Sequence, residues 1–388
     1  MHSDILRCMK YLEIYSSLKN SIAERKFSAD LQIPSEAELC EQFGVARNTV
    51  RQALAMLLSQ GLIEKHKGKG SFITPKGERK TGVIGLLIPD FSSASFFSSL
   101  KSELETSAAK LGYKVRLETS WRTTDDEMVK AIRKAARKLA VDRVEGVIFR
   151  PHLNPEHIEA NKEILSIFRH TETPVVLIDS DISPRPERSD CDLVAVDNVS
   201  AGRRIAAHLL DSGRRHIAFM MSGVEIGSNA NWENRLFGIA GEVAVRGISD
   251  GVCTLRFPPD DTKSLRALFR SRRRPDAIAC GNDRTATMLV ESLETIGIRV
   301  PEDVAITGFD DESFARLSIP PLTTIRQPAG LIAKTAFKTL LARIRYPQND
   351  HKEILLDAPL IIRKSSSIPN ISDGNSIKNP MLRKSCRA

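Results

Sequence analysis

The chain has 388 residues, a length that accommodates two or three domains and excludes a single small module. Hydrophobic residues make up 41 % and charged residues 27 %, as in ordinary globular proteins, which excludes a mainly disordered or fibrous chain. Lys and Arg outnumber Asp and Glu by 57 to 48, a formal net charge of +9, and this balance suits a polyanionic partner.

The sequence carries no sign of a membrane segment or an export signal. No stretch approaches the roughly 18 apolar residues that a membrane helix needs, and the first 15 residues do not resemble a signal peptide. The six cysteines lie far apart and form no C-x-x-C pair. We therefore expect a cytoplasmic protein with reduced thiols, no metal site, no cofactor and no membrane partner.

Helical periodicity runs through residues 11–60, where apolar residues recur every three or four positions. This pattern predicts three helices. The second begins after Ser35, whose side chain can cap free backbone amides while Glu38 closes a capping box. Gly44 ends the second helix, and the third begins near Arg47.

A basic hairpin is predicted directly after the third helix. Two short strands, Leu62–Glu64 and Ser71–Thr74, flank a tip that contains Lys65, Lys67 and Lys69 together with two glycines. Residues 44–80 hold eight Lys or Arg against two acidic residues, so much of the net positive charge lies here. Helices and hairpin together predict a winged helix-turn-helix.

Residues 11–74 resemble the winged helix-turn-helix of GntR-family transcription regulators. The resemblance is carried by five segments in family order: Tyr11–Tyr15, Ile33–Glu36, Phe43–Leu54, Gly61–Ile63 and Gly68–Phe72. It implies binding to double-stranded DNA. One departure is Ala37, because the family commonly has an arginine there, and one frequent DNA contact is therefore missing.

The amino-terminal end of the third helix is where a recognition helix meets base edges. Arg47 and Arg51 lie one turn apart on one face, and an arginine there can bond a guanine with two hydrogen bonds. Asn48 and Thr49 can reach a base edge or a phosphate, and the wing can lie against the backbone or in the minor groove. The alternative is that both arginines are ordinary solvated charges. The expected DNA-binding residues are Ser35, Arg47, Asn48, Thr49, Arg51, Lys67, Gly68 and Lys69.

A different pattern begins at Gly82, after a polar segment at 75–81 that we expect to be a linker. Apolar runs of strand length then alternate with amphipathic segments of helix length, which predicts an α/β architecture. The strands are too many for one ordinary open sheet, so we expect two lobes. The predicted strands are 83–88, 114–117, 146–149, 175–178, 193–196, 216–220, 251–255, 277–279 and 304–307. The polar segment 365–388 is predicted to be a disordered tail.

Residues 82–364 resemble the effector-binding core of LacI/GalR-family repressors, which is similar to periplasmic sugar-binding proteins. Ten short motifs in family order carry the resemblance, among them Val196-Asp197-Asn198, Gly281-Asn282-Asp283, Gly308-Phe309-Asp310-Asp311 and Pro321–Ile325. The resemblance implies a type I periplasmic-binding-protein-like α/β domain with crossovers near 198 and 320–326. It also implies an effector held in the cleft between the lobes and a homodimer. The predicted order is thus DNA-binding domain 1–74, linker 75–81, core 82–364 and tail 365–388.

Polar residues at strand ends are candidates for the effector site, because ligands of such folds bind beyond the carboxyl ends of the strands. Asn282 and Asp283 follow one predicted strand, Asp310 follows another, and Asp197 follows a third. A sugar needs such hydrogen-bonding groups and an aromatic wall. Plain core packing is the alternative for each phenylalanine, and a helix cap is the alternative for Asp197 and Asp283. The family resemblance implies that Phe96, Phe97 and Phe257 provide this wall. The expected effector-binding residues are thus Phe96, Phe97, Asp197, Arg235, Phe257, Asn282 and Asp310.

The motifs of common enzyme classes are absent from the sequence. The first strand-to-helix turn of the core reads Pro89-Asp90-Phe91-Ser92-Ser93 and lacks the glycines of a dinucleotide site. A P-loop, a G-x-S-x-G elbow and an H-E-x-x-H pair are missing as well. We therefore expect no catalytic residues.

The sequence as a whole predicts a transcriptional regulator that acts as a repressor. Its partners are expected to be a near-palindromic DNA operator, a small effector and a second copy of the chain. A sugar is the expected effector. Two alternatives remain: a core that only dimerises, and a core that senses a purine or a sugar phosphate.

Overall fold

The computed structural model describes residues 2–23, 27, 32–60, 62–66, 69–73, 81–89, 95–119, 125–153, 155–183, 187–221, 229–248 and 251–367. These residues form three units: a helical domain with a two-stranded hairpin, and two lobes that each contain a six-stranded sheet. No helix among these residues is long and apolar enough to cross a membrane. Residues 75–80 of the predicted linker and 368–388 of the predicted tail lie outside this part of the chain. Apart from the start of the tail, the domain boundaries given above stay predictions.

The amino-terminal domain has the predicted order of elements. Three helices precede the hairpin: α1 (His2–Ala23), α2 (Glu36–Phe43), α3 (Arg47–Ser59), β1 (Ile63–His66) and β2 (Gly70–Ile73). Apolar side chains from all of them form one small core around Leu39, Val50 and Leu57, which are fully buried. Burial of this shared core stabilises helices that would be marginal alone.

The turn between α2 and α3 is built as its sequence predicts. Ser35 N donates to Glu38 Oε2 at 2.7 Å, and Glu38 N donates to Ser35 Oγ at 3.3 Å, so the capping box is present. Gly44 ends α2 with a φ of 62°, a conformation that residues with a side chain rarely adopt. The positive φ turns the chain sharply enough for α3 to start at Arg47.

The core consists of alternating strands and helices. In chain order the elements are β3 (Val83–Ile88), α4 (Ser95–Ala109), β4 (Lys114–Thr119), α5 (Asp125–Val141), β5 (Gly146–Phe149), α6 (Ile158–His170), β6 (Val175–Ile178), β7 (Asp192–Val196), α7 (Asn198–Asp211), β8 (Ile217–Met220), α8 (Ala230–Val245), β9 (Cys253–Leu255), α9 (Thr262–Arg270), β10 (Ala277–Cys280), α10 (Asp283–Thr295), β11 (Ala305–Asp310), β12 (Thr323–Arg326), α11 (Ala329–Arg345), β13 (Glu353–Leu356) and β14 (Leu360–Ile361). Single helical turns occur at Pro155–His157 and Ser313–Arg316.

The strands form two sheets, as predicted. The first sheet has the order β13-β7-β6-β5-β3-β4 and is parallel throughout. The second has the order β14-β12-β11-β10-β8-β9 and is parallel except for β14, which pairs antiparallel with β12. Central strands such as β5 and β10 are buried along their whole length, because helices cover both faces of a parallel sheet. The sequence did not reveal β12, β13 or β14.

The chain passes three times between the two lobes. It leaves the first sheet after β7, where α7 packs on α8, and it returns after β12, where α11 packs on α4 and the first sheet. The third passage is the segment 357–359 between β13 and β14, which the sequence analysis did not predict. A cleft between lobes joined by three short segments can open and close by small backbone rotations.

Helices α7 and α8 approach unusually closely in the second lobe. A Cβ added to Gly202 would lie 2.2 Å from Arg235 O, and one added to Gly238 would lie 2.1 Å from Val199 O. Only glycine fits at these two positions. This close packing fixes the backbone of Arg235, one of the predicted effector-binding residues.

The predicted tail begins too early. Ser365 and Ser366 are fully buried, and Ile306 N donates to Ser365 O at 2.8 Å. Ser366 Oγ lies 2.7 Å from His208 Nε2 and donates to Thr323 Oγ1 at 2.7 Å. These serines resemble a polar tail in the sequence, but their hydrogen-bonding partners are distant along the chain and hold them inside the second lobe.

Candidate functional site

The exposed face of the helix-turn-helix carries the cations that the sequence placed there. Arg47 and Arg51 project from α3 and Lys65 from β1, with side chains that are 63 %, 60 % and 62 % exposed. Asn48 and Ser35 are also exposed. An arginine pair at the start of a helix, beside a basic hairpin, matches the geometry of a recognition helix in the major groove.

The hairpin is held against the rest of the domain. Strands β1 and β2 pair antiparallel from Ile63↔Ile73 to His66↔Gly70, and Ile33 N donates to Ser71 O at 2.9 Å. Gln32 Nε2 donates to Lys69 O at 2.8 Å. These bonds fix the backbone of the wing, on which the side chain of Lys69 is exposed. Lys67 and Gly68 lie outside the described residues.

The structure corrects one predicted DNA contact, Thr49. Its side chain is only 3 % exposed and is buried in the domain beside Val50. Successive helix positions are about 100° apart, so residue 49 lies about 200° around the helix from Arg47. Arg47 and Arg51 share the outer face, whereas Thr49 is on the inner one and cannot reach a base edge.

A cavity of about 640 Å³ lies between the two lobes of the core. It opens at the carboxyl ends of the parallel strands, where a ligand site is expected. Both lobes contribute to its wall. The lining residues are Phe96, Phe97, Arg150, Leu153, Asp179, Asn229, Asn231, Trp232, Arg235, Asn282, Arg284, Asp310, Glu312, Ser313, Phe314 and Gln327. Five of the seven predicted effector-binding residues are in this set.

Arg235 is the buried cation of the cavity. Its Nε donates to Asn198 Oδ1 at 2.8 Å and its Nη1 donates to Gly281 O, while its Cζ lies 3.4 Å from the centroid of the Phe309 ring. Burial lowers the pKa of Arg235 to about 10, although the charge of Asp310 opposes this shift. The guanidinium remains protonated at neutral pH and is held in one orientation.

Asp310 is the acidic counterpart of Arg235. Gln327 Nε2 donates to Asp310 Oδ1 at 2.6 Å, and the backbone of Asp310 has a φ of 114°. Burial raises the pKa of Asp310 to about 6, although the charge of Arg235 and the bond from Gln327 oppose the rise. A strained backbone and a shifted carboxyl pKa are both typical of ligand sites.

Asp283 has a structural role next to this site. It is fully buried, its Oδ1 accepts from Thr324 Oγ1 at 2.6 Å, and its Oδ2 accepts from Glu312 N at 2.8 Å. Burial and the charge of Asp310 raise the pKa of Asp283 to about 8. Asp283 therefore joins α10 to β12 and does not line the cavity. Its neighbour Asn282 lines the cavity and also caps α10.

The first lobe contributes an aromatic wall and an ion pair. Phe96 and Phe97 are both 9 % exposed, with ring centroids 5.0 Å apart in an edge-to-face arrangement. Arg150 lies over Phe97, and its Nε donates to Asp179 Oδ2 at 2.9 Å. Asn231 Nδ2 donates to Asp179 Oδ1 at 2.9 Å, so a hydrogen bond joins the two lobes across the cavity.

Two predicted effector-binding residues lie elsewhere. Asp197 caps α7, because its Oδ1 accepts from Ser200 N at 2.9 Å and its Oδ2 from Ser200 Oγ at 2.6 Å. Phe257 is half-buried against the apolar core of the second lobe. Neither residue lines the cavity. Asp197 is a helix cap and Phe257 packs on the core, which are the alternative roles considered for them.

Comparison with known proteins agrees with a DNA-binding domain followed by a separate core. Residues 10–73 match the bacterial regulatory proteins of the gntR family, and residues 206–366 match the periplasmic binding protein-like domain family. The arabinose metabolism transcriptional repressor of Geobacillus stearothermophilus is 27 % identical over 369 residues, which cover 92 % of this chain and 97 % of that repressor.

The transcriptional repressor PurR of Vibrio campbellii is 30 % identical over 291 residues, which cover 74 % of this chain and 81 % of the repressor. This chain belongs to the HTH-type transcriptional regulators that have a periplasmic-binding-protein-like core. Its DNA-binding domain is of the GntR type. A LacI family transcriptional regulator from Enterococcus faecium, solved with bound ribose, is 26 % identical and aligns with a TM-score of 0.56 over 74 % of this chain and 98 % of that chain. The regulator thus joins a DNA-binding domain to a core of the kind that controls repressors through small ligands.

Several residues that line the regulator's cavity were not in the expected effector-binding set. Arg150 and Asp179 directly follow β5 and β6, so the strand-end rule that found Asn282 and Asp310 also applies to them. Gln327 follows β12, a strand without a clear pattern in the sequence. In the described part of the regulator, no group of His, Cys, Asp and Glu side chains could hold a metal ion.

Proposed function

We propose that the regulator is a cytoplasmic homodimeric repressor whose affinity for a near-palindromic operator is controlled by a neutral sugar. The balance of charge in the cavity carries this proposal. Three arginines and three carboxylates line it, and Arg150 is paired directly with Asp179. A neutral ligand can exchange hydrogen bonds with such groups without leaving a buried charge unpaired, whereas a phosphate adds a negative charge that lacks a partner.

Aromatic side chains complete the support for a sugar. Phe96 and Phe97 from one lobe and Trp232 from the other line the same cavity as the polar groups. Flat apolar faces pack on the C–H surface of a sugar ring, while Asn, Asp and Arg bond its hydroxyl groups. The relatives and the ribose-bound neighbour are regulators, and we propose no catalytic activity for this chain.

Thermal melting of the full-length protein with a panel of ligands tests the effector class. The panel contains L-arabinose, D-ribose, cellobiose, ribose 5-phosphate, adenine and guanine. A neutral sugar at about 100 times its dissociation constant is expected to raise the melting temperature of the core by about 5 °C or more. A response only to the phosphate or to a purine would contradict the proposed class, and no response at all would favour a core that only dimerises.

For the DNA-binding surface we propose direct contacts from the exposed residues. Arg47 and Arg51 read bases in the major groove, while Ser35, Asn48 and Lys69 contact the phosphate backbone. Their exposure on one face supports this assignment. Contacts from Lys67 and Gly68 at the tip of the wing stay a prediction.

An exposed apolar patch on the second lobe supports the homodimer. Leu317 is 80 % exposed and Ile319 is 88 % exposed, and both follow the helical turn Ser313–Arg316. Large apolar side chains that are close together and exposed mark interaction surfaces. A near-palindromic operator needs two copies related by a two-fold axis, and we propose that the second copy covers this patch.

Sedimentation velocity tests this interface. The double variant Leu317→Asp and Ile319→Asp is expected to sediment as a monomer at micromolar concentration, because two carboxylates would be buried without partners in the interface. Val141→Asp is the control, since Val141 is 79 % exposed on the first lobe, and it should leave the dimer intact. A dimer in the double variant would place the interface elsewhere.

A further inference from the structure

One carboxylate lies among the cations of the DNA-facing surface. Glu36 is the first residue of α2, and its Oε2 accepts from Arg51 Nε at 2.9 Å. Arg47 Nε lies 3.7 Å from the same oxygen, and Lys65 Nζ lies 3.4 Å from Oε1. Glu36 therefore contacts cationic side chains of both the recognition helix and the wing.

The charge of Glu36 opposes DNA binding in general. Burial by itself raises the pKa of Glu36, but hydrogen bonds and charges from Arg51 and Lys65 outweigh burial and hold the pKa below its ordinary value. The carboxylate is therefore ionised at neutral pH. DNA affinity increases with the number of phosphate charges that a protein's cations neutralise. The Glu36 carboxylate cancels one positive charge on the DNA-facing surface, so it lowers this affinity.

Glu36 also orients the side chain of Arg51, and this effect favours recognition of the correct base. The side chain of Arg51 is 60 % exposed, and an arginine so exposed has many rotamers. The bond from Nε to Glu36 restricts them and leaves the two terminal amino groups to form the paired hydrogen bonds that guanine accepts. A side chain ordered in advance loses less entropy when it binds the correct base.

We propose that Glu36 is a positioning residue that lowers the overall affinity for DNA and raises the discrimination between base sequences. The inference rests on the proposed role of Arg51 as a base-reading residue. It assigns a function to a carboxylate that neither the charge count nor the predicted set of DNA contacts had included.

Glu38 offers a matched control two positions along the same helix. It belongs to the capping box, where Gln can replace Glu, and no ion pair among the described residues involves it. Glu36→Gln and Glu38→Gln therefore remove the same charge from the same end of α2. Only the first of these changes removes the charge that orients Arg51.

The experiment measures discrimination on a duplex that the protein itself selects. Wild-type protein first enriches its preferred duplex from a random DNA library, and each variant then binds this duplex and a scrambled duplex over a range of salt concentrations. Both variants are expected to bind the scrambled duplex several-fold more tightly at low salt, because each gains one net positive charge. The ratio of the affinity for the selected duplex to the affinity for the scrambled duplex is expected to fall about 10-fold or more in Glu36→Gln alone.

The outcomes separate the inference from the function on which it rests. If Glu36→Gln and Glu38→Gln keep the same affinity ratio as the wild type, Glu36 has no positioning role and the inference is wrong. If Arg51→Ala also keeps that ratio, the proposed base-reading role of Arg51 is wrong as well. Equal melting temperatures for the two glutamine variants show that a difference in affinity ratio does not come from unfolding.

Discussion

Replacing Arg51 by alanine is expected to lower the affinity for the selected operator by about 10- to 100-fold, since a bidentate arginine–guanine pair contributes about 1–3 kcal/mol. A dimer on a palindrome would lose this contact at both half-sites, so the loss should be close to 100-fold for a dimer. Binding of a sugar to the core should not change, because Arg51 lies in the separate amino-terminal domain. The measurement is a titration of a fluorescent duplex with the variant, followed by melting with the sugar.

Arg299→Ala is the matched control for this prediction. Arg299 is also exposed, at 70 %, and pairs with Asp303 on the second lobe as Arg51 pairs with Glu36. Arg299→Ala removes one positive charge and one exposed ion pair, as Arg51→Ala does, but at a position outside the helix-turn-helix. Equal losses of operator affinity in the two variants would refute the role of Arg51. A loss of sugar binding in Arg51→Ala would refute the division of labour between the domains.

Asp310→Asn is expected to weaken the binding of the sugar effector by about 100-fold while operator affinity without effector stays unchanged. The substitution keeps the size of the side chain, but it removes the charge that faces Arg235 and one acceptor for a sugar hydroxyl. Loss of a charged hydrogen bond in a buried site costs about 1.5–3 kcal/mol. Calorimetric titration of the sugar into wild type and variant gives the difference.

The pH dependence of sugar binding gives a second measurement for Asp310. Its pKa is raised to about 6 by burial, so wild-type affinity should fall as the pH is lowered through this value and the carboxylate becomes protonated. The charged groups that interact with Asp310 are Arg235, Asp179, Asp283 and Glu312, and Arg235 stays charged in this range. The Asn variant should show a flat profile over the same interval.

Asp197→Asn is the control for Asp310→Asn. Asp197 also follows a strand, and the sequence predicted that it binds the effector, but the structure places it in the cap of α7. Since Asn caps helices about as well as Asp, the control should bind sugar with nearly wild-type affinity. Normal sugar binding by Asp310→Asn, or an equal loss in both variants, would contradict the proposed site.

Local signals predicted those parts of the fold that depend on neighbours along the chain. The capping box of Ser35 and Glu38 and the turn at Gly44 need only a few residues, and all of them were predicted correctly. Buried parallel strands such as β3 were predicted because their apolar runs are continuous. Strands β12 and β13 combine polar and apolar residues and are recognisable only from the strands beside them.

The position of a residue after a strand was readable from the sequence, but the direction of its side chain was not. Asn282 and Asp310 follow strands and line the cavity, whereas Asp197 also follows a strand but turns back to cap its own helix. The sequence alone does not show which way such a side chain points. For Thr49, helix geometry alone places the side chain nearly opposite Arg47, on the buried face of the helix.

The central claim is that one ligand in the cavity changes the affinity of the regulator for DNA. A direct measurement is the dissociation constant of the full-length protein for its selected duplex, without sugar and with a saturating amount of the sugar that raises its melting temperature. Coupling between two sites is typically about 1–3 kcal/mol, so we expect a change in this constant of about 5- to 150-fold. An unchanged constant at saturation would contradict the coupling of the two sites.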